Sequence, residues 1–320
     1  MLSRVGSAAA AAACRRQGQA TGCVQQLASA VAPAVECAAP EGTRNVSILA
    51  VKQRMRSVGN IGKITKAMKM VAASKMRSAQ VATESSRDFV APLTRMLGDL
   101  PDAPGAKALF VPVTTDRGLC GGINTTVAKY TRAAIKAAAE PEPKIAILGD
   151  KGRSQLQRDS RELIAATVAD TNKVRITFAQ AGAVADELSK AYEFDVARII
   201  FNRFVSAISS KPTIATALSP DALAAEAENG GAIGAYEIEG PDAPALLQNL
   251  AEFNLAAQLY AGLLESNCSE QSSRMSAMEN STKNANEMLA KLTLTYNRTR
   301  QASITTELIE IISGATALEG

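Results

Sequence analysis

Residues 251–296 read AEFNLAAQLYAGLLESNCSEQSSRMSAMENSTKNANEMLAKLTLTY, and this stretch decides the fold. Between Pro244 and Gly314 the chain has one glycine, Gly262, and no proline. Core-type positions recur there in alternating steps of three and four, as on one face of a coiled-coil helix, with one extra residue near Leu264. They are Leu246, Leu250, Phe253, Ala257, Tyr260, Leu264, Cys268, Gln271, Met275, Met278, Thr282, Ala285, Leu289, Leu292 and Tyr296. A helix of about 70 residues is about 105 Å long, so the sequence predicts a C-terminal helix that projects from the rest of the molecule.

A second long helix is predicted near the N-terminus. No proline occurs between Pro40 and Pro92, and apolar residues recur at helical spacing from about Ser47 to Leu100. Within it, residues 63–80 read KITKAMKMVAASKMRSAQ and place a set of apolar residues on one face. These are Ile64, Ala67, Met68, Val71, Ala72, Met76 and Ala79. We expect this face to pack against the C-terminal helix.

The two helical segments carry opposite charge. Residues 44–100 contain 11 basic and 3 acidic residues, whereas residues 242–320 contain 5 basic and 9 acidic residues. Opposite charge favours their association and argues against a protein dedicated to binding polyanions. The two helices are therefore predicted to form an antiparallel pair.

The sequence between the helices has the pattern of an α/β domain. Short apolar runs at 108–115, 144–150, 196–206 and 213–219 predict strands, and 122–139 predicts a helix. Strands that alternate with helices of this length indicate a layered unit with some parallel pairing. The predicted fold class is α/β, with a long antiparallel coiled coil of N- and C-terminal helices plus a small Rossmann-like α/β domain.

The first 43 residues have the composition of an organelle transit peptide. Alanine and small polar residues dominate, Arg4, Arg15 and Arg16 are basic, and no acid precedes Glu36. A secretory signal fits less well, because the arginines follow the alanine run and no leucine-rich core is present. We therefore expect mitochondrial import of a chain divided into a transit peptide (1–43), an N-terminal coiled-coil helix (44–100), an α/β domain (101–241) and a C-terminal coiled-coil helix (242–320). The longest apolar runs are shorter than the roughly 20 residues of a membrane-spanning helix, so any membrane contact is predicted to be peripheral.

The sequence offers little for catalysis. It has no histidine, the commonest acid/base group and metal ligand, although carboxylate or lysine chemistry stays open. Residues 114–124, TTDRGLCGGIN, follow a predicted strand and open a helix, where a phosphate-binding loop would lie. They lack the G-x-G-x-x-G spacing, and no Walker A motif occurs. The segment is either a nucleotide-binding loop or a tight turn that uses Gly118, Gly121 and Gly122, with Cys120 as a structural residue.

The N-terminal helix carries eight cations from Lys52 to Arg77 and no acid in that interval. Nucleic-acid binding, a distant alternative, favours aromatic or arginine-rich readout, whereas this segment is mostly lysine and has no aromatic residue before Phe89. Binding to a membrane surface needs large apolar anchors that are also absent here. Pairing with the C-terminal helix explains the apolar face but not the excess charge, which an acidic protein partner would explain.

The end of the C-terminal helix, RQASITTELIEIISGA at 300–315, is apolar for an exposed helix. Ile304, Leu308, Ile311 and Ile312 would face water if the helix simply projected. Such a patch implies an enclosing apolar sleeve.

Several ordered segments closely resemble the γ subunit of rotary F-type ATP synthase. They are KITKAMKMVAASKMR, DRGLCGGIN, FNRFVSAIS, SEQSSRMSAMENSTKNA and YNRTRQASITTELIEIISGA. The resemblance covers nearly the whole chain after about residue 44, and the predicted transit peptide points to the mitochondrial form. The family's terminal signature falls on Ile304, Thr305, Glu307, Glu310, Gly314 and Ala315.

The resemblance implies a central rotor shaft that transmits rotation of a membrane ring to conformational cycling of three catalytic β subunits. It implies no catalytic residue, cofactor or metal in this chain. The implied partners are a hexamer of α and β subunits, the δ and ε central-stalk subunits and the membrane c-ring, with no nucleic acid. The implied location is the matrix side of the mitochondrial inner membrane, as a peripheral subunit.

The resemblance also implies three sets of contact residues. Lys66, Met68 and Lys69 match positions near an acidic loop of the β subunit, and Arg300, Gln301 and Thr305 match a polar contact with another β-subunit loop. A third set, Tyr236 and Glu237, falls near the foot that meets the membrane ring.

Overall fold

The computed structural model describes residues 47–97, 107–138, 143–172, 175–228, 236 and 243–319. The predicted transit peptide lies outside these residues. The elements in chain order are α1 (Ile48–Leu97), β1 (Ala108–Pro112), α2 (Ile123–Ala138), β2 (Lys144–Leu148), α3 (Asp150–Leu156), a 3₁₀ turn (Arg161–Leu163), β3 (Ile164–Val168), α4 (Phe178–Ala191), β4 (Val196–Phe204), β5 (Ser210–Leu218), α5 (Pro220–Glu228) and α6 (Ala243–Glu319).

Both predicted long helices are present. Helix α1 has 50 residues and α6 has 77, which correspond to lengths of about 75 Å and about 115 Å. Pro92 lies inside α1.

The five strands form one mixed sheet in the order β3-β2-β1-β4-β5. The first four are parallel, and β5 runs antiparallel to β4 as the second arm of a hairpin. The four predicted strands are confirmed, whereas β3 was missed. Its sequence, IAATV, is short and only partly buried at the sheet edge, so it lacks the apolar run that marks a central strand.

Helices cover both faces of this sheet. On one face, Phe110, Ile145 and Ile200 pack with Val127 of α2 and Leu156 of α3. On the other face, Leu109, Val111 and Ile199 pack with α4 and with Leu255 and Leu259 of α6. Helix α4 begins with a capping box in which the Thr177 and Gln180 side chains bond each other's backbone N–H groups.

Helix α6 changes environment along its length. From Ala251 to Ser272 most of its residues are buried, with the sheet on one side and α1 on another. Beyond this segment its burial follows a single seam, through Met278, Ala285 and Leu289. The predicted core positions Leu246 and Phe253 are wrong, because these side chains are 50% and 42% exposed.

Candidate functional site

Helices α1 and α6 pair in antiparallel fashion. Thr65 Oγ1 lies 2.8 Å from Thr282 Oγ1, and Lys69 Nζ lies 3.3 Å from a carboxylate oxygen of Glu279. Farther along α1, the Thr83 hydroxyl donates to the backbone carbonyl of Leu264 at 3.2 Å. Because the partner numbers in α6 fall as those in α1 rise, the predicted antiparallel pairing is confirmed.

The seam between these helices is lined by small and polar side chains. Thr65, Ala72, Thr83 and Ser86 are buried on α1. Gly59 and Gly62 of α1 also face α6. A methyl group at Gly59 would lie 3.9 Å from the Leu289 side chain, and one at Gly62 would lie 3.7 Å from the Ala285 Cβ, both in ordinary contact. The seam is therefore narrow, which leaves little room for large apolar residues.

The predicted apolar face of α1 is partly wrong. Ala72 is buried, and Met76 and Ala79 are half-buried, but Ile64 and Val71 are 58% and 57% exposed. Ala67 is also exposed, and at each of these three positions it is the next residue (Thr65, Met68 or Ala72) that is buried or half-buried. The larger Ile64 and Val71 side chains therefore lie on the outer side of the helix. There they alternate with exposed cations, and the helix presents a mixed apolar and basic surface.

The first predicted set of contact residues, Lys66, Met68 and Lys69, lies on α1 opposite residues 279–282 of α6. Lys66 is exposed and Met68 is half-buried. Lys69 also keeps more than a third of its side chain exposed, but its ammonium pairs with Glu279. The excess charge predicted at Lys69 is therefore partly balanced within the helix pair.

The second predicted set of contact residues lies near the far end of α6. Arg300, Gln301 and Thr305 are all exposed, and the Thr305 hydroxyl donates to the Gln301 carbonyl at 2.9 Å. From Thr282 to Arg300 the helix rises about 27 Å. The structure therefore does not bring the two sets together, and they lie at two separate levels of the helix pair.

The final turns of α6 form the exposed apolar surface that the sequence predicted. Ile304, Leu308, Ile311 and Ile312 are 53%, 54%, 72% and 54% exposed. Ile309 adds a fifth exposed side chain. Tyr236, predicted to lie near the foot on the membrane ring, is also exposed, whereas Glu237 lies outside the described residues.

An ion pair joins α1, α6 and the sheet. Arg87 Nε lies 2.5 Å from Glu265 Oε1, and Arg87 Nη2 donates to the Phe204 carbonyl at 2.6 Å. The other Glu265 oxygen accepts from the Phe204 N–H at 2.7 Å. The backbone N–H and carbonyl of Phe204, the last residue of β4, are therefore both bonded to this ion pair. The hydrogen bond that the Arg87 guanidinium donates to the Glu265 carboxylate raises the pKa of Arg87. Sequence reasoning missed this joint, although Glu265 stands out as an acid in an otherwise apolar and small-residue run.

Two further titratable groups are buried where α6 crosses the sheet. Burial raises the pKa of the Cys268 thiol to about 11. Burial also raises the pKa of Glu270, against the opposing effect of Arg274, which donates to it at 2.5 Å. Neither group is exposed, and both contribute to packing between α6 and its neighbours.

The DRGLCGG segment forms a turn whose polar groups bond one another. The Thr115 N–H donates to Asn124 Oδ1 at 3.1 Å, and the Asn124 amide donates to Thr115 Oγ1 at 2.8 Å and to Cys120 Sγ at 3.4 Å. A methyl group built on Gly121, whose φ is +64°, would lie 3.4 Å from Ser273 of α6. Helix α6 therefore covers the turn at the carboxyl end of the sheet, where nucleotides bind in open α/β folds. This packing favours the tight-turn interpretation.

Within the described ranges, no helix combines the length and apolar character needed to cross a membrane. The same residues contain no cluster of three or more histidine, cysteine, aspartate or glutamate side chains placed to hold a metal ion.

Comparison with known proteins gives a consistent result. A sequence profile described as ATP synthase matches residues 47–318. The mitochondrial ATP synthase subunit gamma of Ipomoea batatas is 50% identical over 285 residues, which cover 87% of this chain and 87% of that protein.

Two solved structures also match. A chain in the mitochondrial ATP synthase of Euglena gracilis, solved with OSCP, F1 and the c-ring, superposes with a TM-score of 0.74 at 23% identity, over 85% of this chain and 94% of that chain. A chain in the central stalk and c-ring of the Tetrahymena thermophila mitochondrial ATP synthase superposes with a TM-score of 0.58 at 30% identity, over 68% of this chain and 98% of that chain. The similarities extend over both long helices and the sheet rather than over a single motif.

Proposed function

Because this chain belongs to the gamma-subunit family of ATP synthase, we propose that it is the central-stalk rotor of a proton-driven ATP synthase. It is a non-catalytic subunit of the enzyme complex. Its role is mechanical: it transmits rotation of a membrane ring to three catalytic β subunits, whose conformations change in turn. A ligand or partner shifts such an equilibrium only by interacting differently with its states, and a shaft achieves this by presenting different faces as it turns.

The observation that carries this proposal is the last part of α6. Helix α6 extends past the residues that pair with α1, and its end exposes Ile304, Leu308, Ile311 and Ile312. Contiguous apolar surface of this kind marks an interaction site, because leaving it in water is unfavourable. We assign this end to a sleeve formed by the hexamer of α and β subunits.

The contact residues of the shaft form two levels in this proposal. Lys66, Met68 and Lys69 meet an acidic loop of β at the lower level. Arg300, Gln301 and Thr305 hydrogen-bond a second β loop about 27 Å higher. The exposed Lys66 and the exposed polar groups of the upper set support this assignment.

At the opposite end, Tyr236 and Glu237 form part of the foot on the c-ring, beside the δ and ε central-stalk subunits. The chain is mitochondrial, as is its relative from Ipomoea batatas. The finer location that we propose is the matrix side of the inner membrane, reached as a peripheral subunit through the ring.

Co-purification tests the function directly. An affinity tag on the β subunit is expected to recover this chain at one copy per three β subunits, measured by quantitative mass spectrometry of the intact complex. Recovery of the catalytic head without this chain would contradict the proposal. Saturable nucleotide binding by the isolated chain would also contradict it, because a shaft has no nucleotide site of its own.

A further inference from the structure

Arg87 of α1 and Glu265 of α6 form a forked ion pair. Arg87 Nε donates to Glu265 Oε1 at 2.5 Å, and Arg87 Nη2 donates to Oε2 at 3.0 Å, which is the two-bond geometry that makes arginine–carboxylate pairs specific. Phe204 at the end of β4 completes the set, because its carbonyl accepts from Arg87 Nη2 at 2.6 Å and its N–H donates to Oε2 at 2.7 Å. We call these three residues the Arg87 network. A shift of α1 along α6 would break three of its four hydrogen bonds at once.

The Arg87 network also contains the only hydrogen bond that joins α1 to the sheet in the ranges that the structure describes. The remaining hydrogen bonds and ion pairs between α1 and other described elements all reach α6. They are Thr65 with Thr282, Lys69 with Glu279, Thr83 with the Leu264 carbonyl and Thr94 with Gln258. Polar contacts therefore tie α1 to α6 and to β4 at one residue, Arg87.

The other contacts between α1 and α6 define the axial position of α1 poorly. Lys69 pairs with Glu279 at 3.3 Å, but these side chains are 38% and 43% exposed, and exposed ion pairs contribute little. The seam is lined by small and polar residues, whereas large side chains that insert between their neighbours set the register of coiled coils. The Glu265 side chain is only 5% exposed, and fixing register is the best-attested role of buried polar groups between helices. The Arg87 network is thus the feature of this helix pair best suited to fix its register.

The Arg87 network lies in line with the lower level of contact residues. Arg87 follows Lys69 by 18 residues, which are five helical turns, so the two side chains project on the same side of α1 about 27 Å apart. The lower level belongs to α1, whereas the upper level belongs to α6. A displacement of α1 by one residue would shift the lower level by about 1.5 Å and turn it by about 100°, while the upper level stays in place.

We propose that Arg87 is a positioning residue for the coupling of rotation to ATP synthesis. It holds α1 in register with α6 and the sheet, and so fixes the height and the angle at which Lys66, Met68 and Lys69 meet the β subunits. This role depends on the proposed rotor function, and Arg87 itself contacts no β subunit in it. Because ATP is made and hydrolysed on β, loss of register is expected to impair synthesis driven by the ring more than hydrolysis.

Cross-linking across the seam measures the register directly. Thr65 Oγ1 lies 2.8 Å from Thr282 Oγ1, so the double variant Thr65→Cys, Thr282→Cys is expected to form a disulfide in the assembled complex under mild oxidation. Adding Arg87→Gln is expected to slow disulfide formation at least about fivefold, because the two cysteines are no longer held opposite each other. Mass spectrometry of the linked peptides follows the reaction. Equal rates with and without Arg87→Gln, or no disulfide in the presence of Arg87, would overturn the proposal.

Arg132→Gln is the matched control. Arg132 of α2 also bonds a carboxylate and a backbone carbonyl of another segment, Asp159 at 2.7 Å and Gln155 at 2.8 Å. Its side chain is 33% exposed, against 37% for Arg87. Because Arg132 bonds no described residue of α1, its loss is expected to leave disulfide formation and ATP synthesis within about twofold of wild type. Equal effects of Arg132→Gln and Arg87→Gln would show a general loss of stability and would overturn the proposal.

Coupling is measured in membrane vesicles and expressed per β subunit of the assembled complex. Arg87→Gln is expected to lower ATP synthesis at least about fivefold and ATP hydrolysis less than about twofold. When this variant also carries the two cysteines, oxidation is expected to restore synthesis to within about twofold of wild type, and reduction of the same vesicles is expected to remove that gain. Wild-type synthesis by Arg87→Gln, a parallel loss of synthesis and hydrolysis, or no recovery on oxidation would overturn the proposal.

Recovery of the α and β subunits separates failure of this role for Arg87 from failure of the proposed function. The wild-type complex is purified through a tag on this chain, and its subunits are identified by mass spectrometry. Absence of α and β would contradict the rotor function. Presence of α and β together with unchanged coupling in Arg87→Gln would overturn only the positioning role of Arg87.

Discussion

Arg87 and Glu265 illustrate how single residues join the parts of this molecule. The Glu265 side chain is almost wholly buried, and both of its oxygens are bonded, one to Arg87 and the other shared between Arg87 and the Phe204 N–H. A buried charge that loses its partner is strongly destabilising, whereas an exposed pair contributes little. Loss of one partner is therefore expected to be far more destabilising in this buried ion pair than in the exposed ion pairs of the chain.

Arg87→Ala is expected to lower the free energy of unfolding by about 3–5 kcal/mol, because it leaves the Glu265 carboxylate buried without a counter-ion. Urea unfolding followed by circular dichroism measures this change. Lys283→Ala is the control, because Lys283 is 68% exposed and lies 3.9 Å from Glu279. It is expected to cost no more than about 0.5 kcal/mol. Equal losses of unfolding free energy in the two variants would show that Arg87 and Glu265 do not form a buried ion pair.

Cys268 makes the stability depend on alkaline pH. Burial raises its pKa from about 9 to about 11, so the folded chain keeps the thiol proton at a pH where the unfolded chain has lost it. The contribution to stability is fully present below pH 9 and is lost as the pH rises through 11. Between these values we expect a loss of up to about 2 kcal/mol in the wild type that is absent in Cys268→Ala. Parallel pH profiles of the two proteins would contradict this assignment.

At the scale of elements, the α1–α6 pair gains its closeness from small residues. Gly59 and Gly62 face Leu289 and Ala285, and a methyl group at either glycine would make only ordinary contacts at 3.9 Å and 3.7 Å. Glycine in a helix interior is less favourable than alanine by about 1 kcal/mol, so these positions are not optimised for stability. A narrow seam with few large apolar contacts is one that can repack at low cost, which suits a shaft under load.

Gly62→Ala is expected to raise the free energy of unfolding by about 0.5–1 kcal/mol, because it restricts the unfolded chain and fits the seam. Gly149→Ala provides the contrast. Gly149 has a φ of +101°, and an added methyl group would lie 2.4 Å from the Thr114 carbonyl oxygen, so this substitution is expected to cost at least about 2 kcal/mol. Thermal unfolding of the two variants tests both expectations, a higher melting temperature for Gly62→Ala and a lower one for Gly149→Ala. Destabilisation by Gly62→Ala would show that the seam is too tight for a methyl group.

The upper contact set makes a prediction about α6 as an element. Arg300 and Gln301 are exposed on the helix and bond no other element among the described residues, so Arg300→Ala with Gln301→Ala is expected to leave the unfolding free energy within about 0.5 kcal/mol of wild type. The same double variant is expected to lower ATP synthesis by the assembled complex at least tenfold, measured in membrane vesicles. Lys291→Ala is the control on the same helix. Wild-type synthesis by the double variant would remove Arg300 and Gln301 from the contact set.

At the scale of the whole molecule, the long helices and the central strands were predictable because their signals are continuous. The run without proline between Pro244 and Gly314 and the apolar run of β1 leave few alternatives. The face of α1 was not predictable in full, because the seam is made of threonine, alanine and serine and periodicity follows the larger Ile64 and Val71 instead. The ion pairs of Lys69 and Arg87 depend on which residues of α6 lie opposite them. The sequence of either helix alone does not determine this register, because the two helices are far apart along the chain.

Rotation of this chain inside the complex tests the central claim most directly. Ile208 is 92% exposed at the hairpin between β4 and β5. Cys120 and Cys268 are buried, and the other three cysteines, Cys14, Cys23 and Cys37, lie in the predicted transit peptide and are replaced by alanine. Ile208→Cys then offers a selective attachment point for a bead in a complex whose other subunits lack accessible cysteines. The complex is immobilised through its β subunits, ATP is added, and the bead is followed by video microscopy. A rotor shaft is predicted to turn in one direction in three steps per revolution. Continued ATP hydrolysis with a bead that does not turn would contradict the account.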